Sequence, residues 1–233
     1  WNLVVAGLLL LMAAAFYYWS VSGERRSQRI RQIQSTKCKD VEPGRLTEVR
    51  GTLKLLTPLQ VPERPGECAY YRIERQQLRS AVRREADGRL HTTDQWETIE
   101  DRTEARRFLV EDESGSVLVD LRQDTEVDAP LIVDKHEEGG KNAGGFGLSL
   151  SVGGRPVETK VWALVAGQPI YVLGQAEREG DKIVLKSGAD KLLVSYKSEE
   201  ELLRSTQQDI TLGKVVAVLL TGAAAAAFFL IKN

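Results

Sequence analysis

The chain has 233 residues, enough for one domain of ordinary size with accessory segments. Its net charge of −1, with 28% charged residues, argues against a general polyanion binder. Two cysteines are too few for the disulfide framework of a small secreted domain.

Residues 1–22 predict a transmembrane helix. They contain no charged side chain, and about 20 such residues cover the ~30 Å hydrocarbon core. Trp1 at one end and Phe16–Trp19 at the other suit the two membrane–water interfaces. A cleaved signal peptide is the alternative, but here the basic residues follow the apolar run. We therefore expect an anchor.

Residues 23–43 predict a charged juxtamembrane helix and linker. Four arginines there could contact anionic headgroups, or simply lie on a solvated helix: Arg25, Arg26, Arg29 and Arg31.

Residues 44–197 predict a β-rich domain. The first strand, 46–55, has a bend at Gly51, and residues 67–78 form the next. Residues 80–103 extend it as a hairpin around Asp87–Gly88, with Trp96 as a packing residue. The segment FLVEDESGSVLVDL, 108–121, alternates apolar and polar residues on both sides of a Glu113–Gly115 turn, which is typical of a β-hairpin.

The later strands are shorter. Residues 168–175 and 182–186 predict a second hairpin, and 192–196 a last strand. Residues 123–156 are expected to hold the most irregular part of the chain. Within them, the glycine-rich segment 139–154 is interpreted as a flexible loop with one short strand, or as a loop that dips into the membrane interface or covers a ligand through Phe146, Leu148 and Leu150. It matches no phosphate-binding pattern.

The C-terminal part predicts two helical segments. Ser198 and Glu201 form a capping box that starts a short helix, 198–211. Residues 212–232 predict a second transmembrane helix, although a buried soluble helix is an alternative because the alanines lower its hydrophobicity. Gly7, Ala13–Ala15 and Ala223–Ala227 would let the two helices pack as a hairpin.

The strands VRGTL, CAYYRIERQ, FLVEDESG, SVLVDL, PIYVLGQAE and KIVLKSG predict the fold class. They indicate a mainly β protein, with an OB-like small β-barrel inserted between two transmembrane α-helices. Such a barrel needs about five strands with a glycine-assisted bend in the first, and these segments are the candidates.

The order of several motifs resembles the GIDE-type, or "beside a membrane", domain family. The motifs are EVRG, PERPGECAYYR, FLVEDESGSVLVD, VWALVAGQPIYVLGQAE and LLVSYKSEEEL between two apolar helices. This family comprises the mitochondrial ubiquitin ligase activator proteins and their prokaryotic relatives. The resemblance implies that a RING finger, which transfers ubiquitin, follows the second helix in the organellar members.

A RING finger is not expected within these residues. It binds two zinc ions through eight ligands, whereas the soft ligands here number four: Cys38, Cys68, His91 and His136. We therefore expect a prokaryotic-type member without a RING and without an enzymatic activity of its own.

No catalytic, cofactor-binding or metal-binding residue is predicted. Cys68 lacks a cationic neighbour and is interpreted as structural, while a Cys38–Cys68 disulfide remains possible. The acids Glu111–Glu113 are interpreted as a solvated face. Tyr70 and Tyr71 must lie on opposite faces of a strand, which disfavours a base-stacking platform, so no nucleic-acid partner is expected.

The expected partners are the lipid bilayer and either another protein or further copies of the chain, joined through the transmembrane helices. Basic residues near the membrane lie mostly on the domain side, which predicts a cell-membrane protein with a cytoplasmic central domain. The resemblance implies the opposite side, because the organellar domain faces the intermembrane space. We expect a non-catalytic scaffold, or alternatively a component of a ligase-like complex whose catalytic part is another chain.

Overall fold

The computed structural model describes residues 2–33, 35–84, 90–121, 124–138 and 155–229. Two long helices, α1 (Asn2–Gln32) and α2 (Glu199–Phe229), enclose a β-rich region, and a short 3-10 helix, η1 (Cys38–Asp40), follows α1. The strands are β1 (Leu46–Leu55), β2 (Leu59–Gln60), β3 (Glu67–Arg84), β4 (Leu90–Ala105), β5 (Phe108–Asp112), β6 (Gly115–Val119), β7 (Thr125–Asp128), β8 (Leu131–Glu137), β9 (Val157–Val165), β10 (Pro169–Glu179), β11 (Lys182–Lys186) and β12 (Leu192–Ser195).

Five strands close a barrel in the order β1-β5-β6-β11-β10, and β10 returns to β1. The β6–β11 contact is parallel and the other four are antiparallel. Strand β12 adds to β10 outside the closed ring, and β7 pairs with β12. The mainly β prediction, with a small barrel, is therefore confirmed.

Strand β1 pairs with both β10 and β5, and this double pairing closes the ring. Residues 46–52 pair with β10, and residues 52–55 pair with β5. The change of partner falls next to Gly51, where a Cβ atom would lie 2.4 Å from the Glu111 carbonyl oxygen. A side chain cannot fit at that distance, so this position, next to the change of partner, requires glycine.

The barrel interior is filled by alternate residues of its strands. From the predicted hairpin, Phe108, Val110, Val117 and Val119 all point inwards and are at most 2% exposed. Full burial of such side chains stabilises a fold by about 1.5–3 kcal/mol each. The period-two alternation of residues 108–121 therefore predicted both the hairpin and its buried face.

A second sheet lies beside the barrel, and its presence corrects one prediction. Strand β3, expected in the barrel, instead pairs with β2, β4 and β9, and β8 extends the sheet beyond β9. Its own core contains Tyr71, Ile73, Val133 and Val161. Tyr70, on the opposite face, packs against the barrel core, as the alternation of the strand predicted.

Two parts of the β-rich region differ from expectation or lie beyond it. Residues 125–137, within the part expected to be most irregular, form β7 and β8. The predicted turn Asp87–Gly88 and the glycine-rich segment 139–154 lie outside the described residues.

Helix α2 runs without a break through both predicted C-terminal segments, 198–211 and 212–232, as far as Phe229. The capping box is confirmed at its start. The Glu201 amide donates to the Ser198 hydroxyl at 3.2 Å, and the Ser198 amide donates to the Glu201 carboxylate at 3.1 Å.

The two helices pack through a seam of small residues with heptad spacing. On α1, the buried Ala13, Ser20 and Ser27 recur every seven residues. On α2, the buried series is Ile210, Ala217 and Ala224. This spacing is typical of a two-stranded coiled coil, and small side chains allow the helices to approach closely.

Among the described residues, one helical segment, Glu199–Ala225, is long and apolar enough to cross a membrane. The apolar stretch of α1, Gly7–Val21, is shorter than the ~20 residues that usually span a bilayer. The prediction of two crossings therefore stays a prediction.

Gly51→Ala should destabilise the barrel by about 2 kcal/mol, because the new methyl group overlaps the β5 backbone. The measurement is thermal unfolding of the detergent-solubilised chain, followed by the circular dichroism of the β-sheet. Gly222→Ala is the control, since nothing lies within 4 Å of its Cβ position. Equal melting temperatures for the two variants would contradict the steric requirement for glycine at position 51.

Candidate functional site

The helix pair joins the outside of the barrel wall through a small apolar cluster. The ends of both helices contribute to it, together with residues that point outwards from the barrel strands. The members are Ile33, Leu46, Tyr171, Leu173, Leu193, Leu202 and Leu203. This junction fixes where the β-rich region lies relative to the helices.

A buried carboxylate lies within the junction. Glu48 on β1 is 0% exposed and accepts three hydrogen bonds. The Tyr171 hydroxyl donates at 2.9 Å, and the Arg50 guanidinium donates from Nε at 3.0 Å and from Nη2 at 2.8 Å. A buried carboxylate is tolerated only with such compensation, because its desolvation is otherwise very costly.

Glu48 connects the barrel to both helices, through its side chain on one side and through its backbone carbonyl on the other. Arg50 also pairs with Glu199 in the first turn of α2. On the other side, the Thr36 amide, just beyond α1, donates to the Glu48 carbonyl at 2.8 Å. One stretch of β1 therefore anchors the exit of α1 and the start of α2.

This cluster has a structural role. Burial and the negative charge of Glu48 raise the pKa of Tyr171, so its hydroxyl stays protonated and acts as a donor. This cluster was not predicted from the sequence, because a Glu and an Arg two positions apart in a strand normally indicate a solvated face.

A second polar contact lies between the helices, farther along the seam. Glu24 and Lys214 form an ion pair, and the Ser20 hydroxyl donates to the Ile210 carbonyl at 3.0 Å. Exposed aromatic side chains, Tyr17 to Trp19, occupy the next turn of α1. Charged residues on one side and apolar residues on the other place a polarity boundary at this level.

Beyond that boundary, an open groove of about 820 Å³ runs between the helices. Leu10, Tyr17 and Val218 contribute to its walls, and small residues including Gly222 and Ala225 line it as well. Its lining is mostly apolar, which suits contact with hydrocarbon.

The two cysteines are free, so the possible Cys38–Cys68 disulfide is not formed. Both are buried, in separate cores. Burial raises the pKa of each thiol to about 11, and the nearby Asp112 carboxylate adds to the effect at Cys38. Thiolates are therefore disfavoured, which agrees with the structural interpretation of Cys68.

Asp112 is part of a turn and not the solvated acid that was expected. Its carboxylate accepts the Cys38 amide at 2.8 Å, the Ser114 amide at 2.7 Å and the Gly115 amide at 3.1 Å. Burial acts to raise the pKa of Asp112, but the hydrogen bonds from Ser114 and Cys38 outweigh it and hold that pKa well below its usual range. The side chain thus fastens η1 to the barrel hairpin.

Trp96 and His136, both named in the sequence analysis, lie on the second sheet. The exposed Trp96 ring contacts the His136 ring edge-on, with centroids 5.9 Å apart. Arg72 lies over the Trp162 ring at 5.7 Å. Among the described residues, no group of three His, Cys, Asp or Glu side chains could hold a metal ion, and the side chain of His91 lies outside them.

Comparison with protein families gave one match. A family model described as "GIDE: E3 Ubiquitin ligase" matches residues 79–228, which is well over half of the chain. The match begins within β3, covers the later barrel strands and ends one residue before the end of α2. Comparison with curated proteins and with solved structures found no match.

Glu48→Gln should destabilise the chain by about 2 kcal/mol, because a neutral amide accepts the hydrogen bonds from Arg50 more weakly than the buried carboxylate does. Denaturant unfolding in detergent, followed by tryptophan fluorescence, measures the change. Glu42→Gln is the matched control, since Glu42 and its partner Arg45 are both exposed, and it should change nothing measurable. If Glu48→Gln were equally neutral, the junction would not depend on the carboxylate.

The native thiols should react slowly with maleimide at neutral pH, because both are buried and both pKa values are raised to about 11. Mass spectrometry after a timed exposure, with and without denaturant, measures the labelling. A cysteine introduced at the exposed Glu113 should label at once and serves as the control. Rapid labelling of Cys38 or Cys68 in the folded chain would contradict the packing of these residues.

Proposed function

Because the chain belongs to the GIDE family, we propose that it is a membrane-anchored, non-catalytic binding module. In this proposal the helix pair holds the β-rich domain at the bilayer surface, where the domain meets a partner protein. Family membership supports the membrane association and the connection with E3 ubiquitin ligases.

The observation that carries the proposal is the distribution of exposed apolar side chains. Most of the large exposed ones are on the two helices, and they cover the faces that the seam leaves free. They are Leu8, Leu10, Leu11, Met12, Tyr17, Tyr18 and Trp19 on α1, and Leu212, Val215, Val218 and Leu219 on α2. Such a surface is unfavourable in water and favourable in hydrocarbon.

The ion pair between Glu24 and Lys214 supports a position for the bilayer boundary. Apolar residues follow Lys214 towards Phe229, whereas polar residues precede it in α2. At 1.5 Å per residue, the helix between Leu202 at the junction and Lys214 is about 18 Å long. The helix pair would therefore hold the barrel above the membrane on a short, stiff stalk.

We place the domain in the cytoplasm, on the basis of the arginines that follow the first apolar segment. The junction around Glu48 would keep the domain in one orientation relative to the helices. A fixed orientation lowers the entropic cost of presenting a binding surface at the membrane.

A second candidate function is favoured by the description of the family model. The chain would supply the membrane domain of a ubiquitin-ligase-like complex whose catalytic part is on another chain. Purification in mild detergent distinguishes the two: this candidate requires co-purification of a zinc-binding or ubiquitin-like transfer partner, and the first does not.

The chain should remain in the membrane pellet after extraction with alkaline carbonate and should enter solution only with detergent. Single cysteines introduced at Glu113 and Asp181, two exposed turn positions, should react with an impermeant maleimide only after the cells are permeabilised.

The two readouts separate the possible failures. Release by carbonate would contradict the membrane anchor. Retention in the pellet, together with labelling in intact cells, would keep the anchor and place the domain outside the cell.

A further inference from the structure

Strand β4 has a pairing partner on one side only, in the part of the chain that the structure describes. It pairs with β3 from Leu90 to Ala105, and no described strand pairs with its outer edge. Residues 93–99 and 101–103 are exposed. An edge of this length presents a row of backbone donors and acceptors to which another strand can add.

The outer edge is acidic. Between positions 94 and 104 the strand carries one basic residue, Arg102, and five carboxylates: Asp94, Glu97, Glu100, Asp101 and Glu104. A strand that added to this edge would have those carboxylates as its nearest side-chain neighbours. Opposite charges on adjacent strands stabilise the pairing, and like charges oppose it.

At the inner edge of β4, three of these carboxylates form ion pairs with arginines of β3. Arg72 pairs with Asp101 at 3.0 Å, Arg75 with Glu100 at 2.7 Å and Arg79 with Glu97 at 2.6 Å. Strand β3 thus complements β4 through a ladder of arginines. A second arginine-rich strand could form the same kind of ladder on the outer edge.

The same charges act against self-association. Two copies joined edge to edge through β4 would bring two rows of carboxylates together, while the arginines of β3 that pair with them lie on the inner side of each row. The pairing with β3 is also irregular around Ile99, where Arg75 and Gln76 oppose Glu100 and Thr98. This bulge divides the edge into two shorter segments, which further limits pairing with a long identical strand.

We propose that the outer edge of β4 binds an extended, arginine- or lysine-rich segment of another protein, which adds to the second sheet as a further strand. Backbone hydrogen bonds would supply affinity, and the alternating carboxylates would select for basic partners. The exposed Ile99 side chain would give the bound segment an apolar contact on the edge strand. This inference rests on the binding role proposed above but does not depend on the helices crossing the bilayer.

The test uses the full chain in detergent and a fluorescent peptide with the sequence of residues 70–80, YYRIERQQLRS, which already complements β4. Fluorescence anisotropy should show saturable binding that weakens with added salt. The same peptide with its three arginines changed to glutamate should not bind. Hydrogen exchange should slow in residues 93–104 when the peptide is present.

A variant and a matched control locate the effect. Asp94→Asn, Glu97→Gln and Asp101→Asn together should weaken binding about tenfold, because three opposite-charge neighbours are lost. The control, Glu113→Gln, Asp181→Asn and Glu200→Gln, removes three exposed carboxylates away from the edge and should bind the peptide unchanged.

Three results would overturn the inference: equal binding of the charge-reversed peptide, protection outside residues 93–104, or dimerisation of the chain through β4. If the triple edge variant does not fold, the charge-reversed peptide and the exchange map of the native chain still decide. If the chain stays in the membrane pellet after carbonate extraction but does not bind the peptide, only this inference is overturned. The proposed membrane anchor is then unaffected.

Discussion

The hydrogen-bonded Glu48 carboxylate connects the barrel to the helix pair. It lies on the outside of the barrel wall, fully buried, with Tyr171 and Arg50 as donors. Arg50 extends the contact to Glu199 at the start of α2. The carboxylate is fully buried while the Arg50 side chain is 46% exposed, so an arrangement that removed these donors would leave a buried charge unpaired.

This junction limits how far the β-rich region can move relative to the two helices. Helix α2 is continuous from the junction to Phe229, and the heptad seam with α1 runs along the described part of both helices. Little freedom therefore remains between the domain and the apolar segments. In the second sheet, the outer edge of β4 pairs with no other described strand.

Residue patterns predicted individual elements better than their assembly. The hairpin of the barrel was visible because Phe108, Val110, Val117 and Val119 alternate with residues on the other face. Strand β3 has the same alternation, and nothing in its own residues says which sheet it joins. Its position depends on β8 and β9, whose Val133 and Val161 cover Ile73, and β8 lies in a stretch that looked irregular.

By itself, the sequence determined the mainly β domain between two apolar segments, the capping box at Ser198 and the family resemblance, because these depend on local periodicity and on short motifs. The tertiary structure alone decided the closed ring of β1 with β5 and β10, the second sheet, the free thiols and the burial of Glu48. Those features depend on contacts between residues far apart in the chain. The physical reason is that strand pairing and the burial of a charge depend on residues that become neighbours only when the chain folds. The alternation of residues within one strand does not identify those neighbours.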